Sequence, residues 1–335
     1  MNAPARIFEV KQAVQGDDPL LIAMIGPPGG GKTYSALRLA TGMKQVRGGD
    51  IVVIDTEGGR SKKYASEFAF LHVQFDPPYR PTDFLAAINQ QVARKAAAII
   101  IDSASDEHEG EGGVLDWHDT ELDRMAGDDW SKRERMTQAA WIKPKRDRIA
   151  LTTGLLRISV PLIFCFRARE KTKQVANDRG KMVPTNIGYM PIAPSELIHA
   201  MDLTCILPPR AEGVPVWKSD KAGEDFIIKL PNYLKPFIEA GTPLNEQMGA
   251  AFARWAQGGS ASPAHPPAKS TGEADEYVTA AEWDLRLAEA AAKGTEALKA
   301  VWSTIPRGDD KKLLEQALRR RHQPMANEAD AKAPA

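Results

Sequence analysis

The eight residues Gly26-Pro27-Pro28-Gly29-Gly30-Gly31-Lys32-Thr33 constrain this chain more than any other segment. They fit the spacing G-x-x-x-x-G-K-[ST]. An apolar run, Leu20–Ile25, precedes them, and the stretch from Lys32 to Val46 carries Ala36, Leu37, Ala40 and Met43 at helical spacing. A buried strand that turns through glycines into a helix lets backbone N–H groups converge on phosphate oxygens without side-chain obstruction. The helix N-terminus adds partial positive charge. Lys32 is expected to reach the β- and γ-phosphates of ATP, and the Thr33 hydroxyl to ligate Mg2+. Tyr34 completes the expected nucleotide-binding run. The alternative is a glycine-rich turn with an incidental Lys-Thr.

Further short apolar runs recur along the chain: Ile51–Ile54, Leu71–Phe75, Ala97–Ile101, Val160–Phe166 and Leu203–Leu207. Continuous apolar runs of this length predict strands buried on both faces. Pro81 to Arg94 predicts a helix, with Phe84, Leu85, Ile88 and Val92 on one side. Gly213–Trp217 and Asp225–Leu230 read as a hairpin pair. Strands alternating with helices predict an α/β fold with a mostly parallel central sheet flanked by helices. The run Ile99-Ile100-Ile101 ends in Asp102, an acid at the strand edge where open α/β sheets place ligands. Asp102 is thus the second expected Mg2+ ligand. Its successor is Ser103, not an acid, so a water-activating carboxylate is sought elsewhere. Glu57, just past Val53-Ile54-Asp55-Thr56, is that candidate, and a capping or turn acid ahead of Gly58-Gly59 is its alternative.

At 335 residues and 43% hydrophobic, the chain has ample material for a core and suggests roughly two domains. Lys+Arg and Asp+Glu are both 44, so a globally basic nucleic-acid coat is excluded, though not a local patch. The two cysteines, Cys165 and Cys205, have no partner at metal-ligand spacing, and a reducing, cytoplasmic setting is expected. No secretory leader or membrane span is expected, since the longest apolar runs fall far below roughly 18 residues. Residues 258–275 are a linker by composition, following an expected ATPase domain over 1–257. Residues 276–322 carry Trp283, Leu287, Leu298, Trp302, Leu314 and Leu318 at helical intervals and predict a small helical module. Residues 323–335 read as a disordered tail.

The Ile101-Asp102-Ser103 ending, together with Glu57, resembles the RecA-like P-loop NTPases. The acidic glycine-rich stretch Asp102-Ser103-Ala104-Ser105-Asp106-Glu107-His108-Glu109-Gly110-Glu111-Gly112-Gly113 is similar to one in phage-encoded ATP-binding proteins related to phage single-strand annealing ATPases. The resemblance spans roughly residues 20 to 240. It implies a RecA-like fold and ATP-dependent work on single-stranded DNA, annealing or strand pairing, during phage recombination or replication. It also implies nucleotide sites shared between subunits of a homo-oligomer, with Glu57 and Lys32 as catalytic residues. One departure stands out: Arg167 and Arg169 follow Phe166, where many such proteins carry a Gln or His that senses the γ-phosphate.

Arg167 to Lys181 holds six bases and two acids, or +4, and is the expected DNA-binding loop through Lys171, Lys173, Arg179 and Lys181. A solvated hairpin is its alternative. Arg146, in the cluster Trp141, Lys143, Lys145, Arg146 and Arg148, is a further candidate to reach a neighbour's nucleotide, as an arginine finger does. A metal site at His108 with its flanking acids is disfavoured by loop glycines. Two other functions stay open. One is a nucleotide-switched loader recruiting single-strand-binding or replication proteins through the C-terminal module, and the other is a small-molecule kinase.

Overall fold

The computed structural model describes residues 10, 12, 15–176, 180–258, 280–305, 314, 315 and 317–332. The chain divides into two compact units, Met1–Ser262 and Pro263–Ala335.

In the first unit the apolar runs form the strands β1 (Leu21–Gly26), β2 (Ile51–Asp55), β3 (Leu71–Gln74), β4 (Ala98–Asp102), β5 (Leu162–Ala176) and β7 (Leu203–Ile206), and a further strand, β6 (Met182–Pro191), forms where no apolar run marks one. The sheet order is β3-β2-β4-β5-β1-β7, with β6 paired to β5. All neighbours along that path are parallel, and β5–β6 alone is antiparallel. The helices are α1 (Lys32–Arg47), α2 (Pro81–Ala93), α3 (Asp106–Glu109), α4 (Val114–Ala126), α5 (Trp130–Ala140), α6 (Ile142–Leu155), α7 (Ser195–His199), α8 (Ala222–Ile227) and α9 (Glu246–Ala256).

The central strands are apolar throughout because each face is covered. Ala23, Ile25, Ile54, Ile99, Ile101 and Phe164 pack on one side with Phe84 and Ile88 of α2 and Leu151 and Leu155 of α6. Ile22, Met24, Val53, Ile100 and Cys165 pack on the other with Leu37 and Met43 of α1 and Phe252 of α9. Each fully buried Val, Leu, Ile, Phe or Met among them contributes about 1.5–3 kcal/mol. α1 and α9 approach so closely that a Cβ on Gly249 would stand 2.0 Å from Leu39 O. Beside that contact, Arg38 grips Glu246 with Nε at 2.9 Å and Nη2 at 2.7 Å.

Three expectations are corrected. The segment expected as a loop from Arg167 is strand as far as Ala176, and β5 there pairs antiparallel with β6 in a two-stranded ribbon; residues 177–179 lie outside the described residues. Gly213–Trp217 and Asp225–Leu230 do not pair with each other. Val216 bridges to Ile206 and Lys229 to Thr204, while residues 222–227 are helical, so both segments are tied to β7. Residues 323–332, expected as tail, form a helix in the second unit.

That second unit comprises α10 (Ala280–Ala291), α11 (Thr295–Thr304), a π-helical turn at Leu318–His322 and α12 (Gln323–Lys332). Leu287, Ala291, Leu298, Leu314 and Ala326 form its core. The Asp330 carboxylate accepts from Thr295 N and Oγ1 at the start of α11. The expected linker lies, apart from Gly258, outside the described residues. No helix among the described residues is long and apolar enough to cross a membrane.

Candidate functional site

The C-terminal ends of β1, β2, β4 and the sheet part of β5 meet at a cleft of about 610 Å³. Its lining includes Pro28, Gly29, Gly31, Lys32, Thr33, Asp55, Glu57, Asp102 and Arg167. Gly31 caps α1 in the left-handed region, at φ 86°, and no side chain caps the helix. The first N–H groups of a helix have no intrahelical partner, so this end favours an anion. Gly26 and Gly30 are needed for a different reason: a Cβ on either would lie within 2.5 Å of Leu207 O. Lys32 Nζ donates to Gly26 O at 2.8 Å and Pro27 O at 3.0 Å, which folds its charge over the glycine-rich turn. Tyr34 is not part of the cleft lining and packs edge-on against Tyr64 and Phe68.

The Thr33 hydroxyl donates to Asp102 Oδ2 at 2.5 Å. Burial pushes the Asp102 carboxyl up to about 6; Thr33 and Lys32 work against the rise, and Glu57 and Asp55 add to it. A hydroxyl and a carboxylate oxygen side by side are hard donors of the kind that suit Mg2+.

Asp55 organises the turn that carries Glu57. Its Oδ1 accepts from Glu57 N at 2.8 Å and Gly59 N at 3.2 Å, and its Oδ2 from Ser61 N at 3.0 Å and Ser61 Oγ at 2.5 Å. Burial is the largest single influence on Asp55 and pushes it up. The hydrogen bonds from Ser61, Gly59 and Glu57 together outweigh it and hold the carboxyl below its ordinary range. Glu57 itself lines the cleft, with Arg60 Nη1 3.3 Å from its Oε2.

The acidic stretch after Asp102 is an ion-pair platform. Asp106 Oδ2 accepts from Thr56 Oγ1 and Asp106 Oδ1 from Arg167 Nη2, both at 2.6 Å. Since β4 lies between β2 and β5, Asp106 ties the ends of its two neighbours together. Glu107 lies 3.5 Å from Arg148 Nε, and burial pushes its carboxyl up. His108 Nδ1 meets Arg148 Nη2 at 2.9 Å. Burial, then the charges of Arg148 and Lys171, push the imidazole down to about 4.

The remaining expected residues are dispersed. Arg169 reaches Glu109 and sits at the root of the ribbon, outside the cleft lining. Arg146 stands 76% exposed beside Asp147, also outside it. Its neighbours Lys143 and Arg148 are held by Glu121 and Glu107. Lys171, Lys173 and Lys181 are exposed on or beside the ribbon, and Arg179 lies outside the described residues. Five cleft residues escape a reading of the sequence: Asp55 at the end of β2, and Arg60, Ser61, Lys63 and Tyr64 in the 3-10 segment that follows. The signal for the last four was the Gly58-Gly59 pair, which swings the chain after β2 back across the site. Compared with protein-family models and with curated proteins, the sequence matches none.

Proposed function

We propose that this chain is a RecA-like P-loop ATPase that works with Mg2+ on single-stranded DNA, as in phage recombination, within the cytoplasm of a bacterial host. The observation that carries the reading is the convergence of Lys32, the Thr33–Asp102 pair and Glu57 on one cleft beside an uncapped helix N-terminus. Backbone amides of the glycine-rich turn and Lys32 would bind the β- and γ-phosphates. Thr33 and Asp102 would hold Mg2+, which when bound neutralises charge on those phosphates. Glu57, fixed by the Asp55 turn, would orient and deprotonate the attacking water. Arg167, at the same cleft, would face the terminal phosphate.

The ribbon favours single-stranded DNA as the second ligand. Arg169, Lys171 and Lys173 alternate along β5 and therefore share one face, about 6.8 Å apart. A row of exposed cations at that spacing suits a backbone of phosphates. Homo-oligomer assembly around shared nucleotide sites belongs to the same reading. The separate compactness of the second unit favours a second role, as a docking module for single-strand-binding or replication proteins.

The test is ATP binding by calorimetry for wild type and Lys32→Ala. Tight Mg2+-dependent binding lost in the variant supports the reading, and equal affinity in the two proteins overturns it.

A further inference from the structure

Helix α6 has one side against the sheet layer and the other in solvent. Leu151 and Leu155 are buried in the same core as Phe84 and Ile88 of α2. The approach to α2 is close, since a Cβ on Gly154 would stand 2.6 Å from Leu85 Cδ2. This packing fixes how the helix is turned, and its outward side is not polar. Ile142, Ile149 and the C-cap residue Leu156 are 67%, 65% and 67% exposed. At 3.6 residues per turn, positions seven apart fall nearly one above another. The three therefore make a row about 21 Å long, on the side opposite Leu151. Single exposed apolar residues are ordinary on a protein surface. Three in line along one helix face are a different observation. The helix itself does not call for isoleucine there, because a β-branched side chain is a weaker helix former than Ala, Lys or Glu. None of the three lines the cleft. The charge beside the row is nearly all of one sign. Exposed Lys145 flanks it on one side, and exposed Arg146 and Arg157 on the other. The single acid between Ile142 and Arg157 is Asp147, 3.5 Å from Arg146 Nε.

We propose that this face of α6 is a docking surface for a partner protein that presents an acidic amphipathic helix. Apolar side chains of the partner, at heptad spacing, pack between Ile142, Ile149 and Leu156. Its Asp or Glu flanks meet Lys145, Arg146 and Arg157. Charge selects this occupant over a second copy of the same helix. Two copies packed face to face, in either orientation, would set cations against cations at both flanks. A contact about 21 Å long falls at the small end of specific interfaces, so binding is reversible, with a Kd in the micromolar range. The proposal does not depend on what the cleft binds.

The probe is a labelled synthetic peptide about three heptads long, with Leu at the a and d positions and Glu at e and g, and a second version with Lys in place of Glu. Binding of each to the full chain is read by fluorescence anisotropy. The acidic peptide is expected to bind with a micromolar Kd, and the basic one at least about tenfold more weakly. Ile149→Gln with Leu156→Gln breaks the apolar row and is expected to weaken acidic-peptide binding about tenfold or more. The melting temperature should hold, because both side chains are exposed. Lys145→Glu with Arg157→Glu is expected to reverse the preference, so that the basic peptide binds better. Failure of wild type to bind either peptide overturns the proposal. Equal binding of the two peptides, or a preference that survives the Glu substitutions, overturns it as well. Sedimentation showing a wild-type dimer that Ile149→Gln dissociates, with neither peptide bound, overturns it in favour of a second copy. Partition onto phosphatidylserine vesicles without peptide binding overturns it in favour of a membrane surface.

Discussion

Thr33 and Asp102, 69 positions apart in the chain, are joined by a 2.5 Å hydrogen bond from the threonine hydroxyl to the buried carboxylate. Asp102→Asn keeps a hydrogen-bond acceptor there but removes the charge. It is expected to raise the Mg2+ concentration needed for hydrolysis by about tenfold or more. Only the ionised carboxylate binds a cation, and burial has pushed this one up to about 6. Apparent Mg2+ affinity should therefore fall as pH drops below about 6 and level off above it. Magnesium titrations of ATPase rate on both sides of that pH check the sign.

Glu57 hangs from a turn fixed by four hydrogen bonds to Asp55, so Glu57→Gln should leave the cleft intact. Hydrolysis is expected to slow about 10²-fold with KM for ATP little changed, the usual scale for losing a general base. Single-turnover rates decide it, and a wild-type rate would place the base elsewhere. Asp106 and Glu107 are poor substitutes, since Asp106 is committed to Thr56 and Arg167, and Glu107 is buried against Arg148.

Replacing Arg169, Lys171 and Lys173 together by Gln removes the row of charge from the ribbon face. If all three contact phosphates, the slope of log K against log salt for single-stranded DNA should become shallower by about 0.7 × 3, near two. Binding should weaken alike for every sequence. Identical slopes in the two proteins would return the ribbon to a solvated hairpin.

His108 titrates at about 4 in the fold against 6.5 for an ordinary histidine. Between those values the unfolded chain binds the proton and the folded one does not. Its contribution is therefore complete above pH 6.5 and drains away as pH falls toward 4. Melting temperature should decline less over that range in His108→Gln, whose amide oxygen can still accept from Arg148. Parallel curves for the two proteins would show that His108 does not carry the effect.

A protein cut after Ser262 is expected to melt cooperatively and to bind ATP like the full chain, because the first unit has its own two-sided core. Loss of a cooperative transition would show that the core depends on the second unit.

The parallel strands were legible because burial on both faces leaves an uninterrupted apolar signature, as in Ile51–Ile54 and Ala98–Ile101. The glycine-rich turn, Lys32 and Thr33 were legible because they are contiguous, and Asp102 and Glu57 because each ends such a strand. The ribbon was not legible as strand. From Arg169 to Ala176 β5 is solvated on both faces, so no alternation of apolar and polar residues marks it. The segment Asp225–Leu230 carries Phe226, Ile227 and Ile228 and reads as strand, but residues 222–227 are helical, held by contacts outside the segment: Glu224 accepts from Tyr189 N and Ser219 Oγ. The role of Asp106 was out of reach for the same reason, since its two partners come from positions 50 and 61 residues away.

The two thiols give this sheet a built-in clock. Cys165 and Cys205 are both fully buried, and each stands in register with Met24 from opposite sides of β1. Two strand spacings separate their backbones by roughly 9.5 Å, beyond the reach of about 7 Å that a disulfide allows. Oxidation therefore cannot stitch them together. Burial pushes Cys205 up to about 12 and Cys165 higher than an ordinary thiol, so neither is nucleophilic in place. An alkylating reagent gains access to them only when the middle of the sheet comes apart. The rate at which the sulfurs are capped thus reads how often that happens, without a probe being added to the protein.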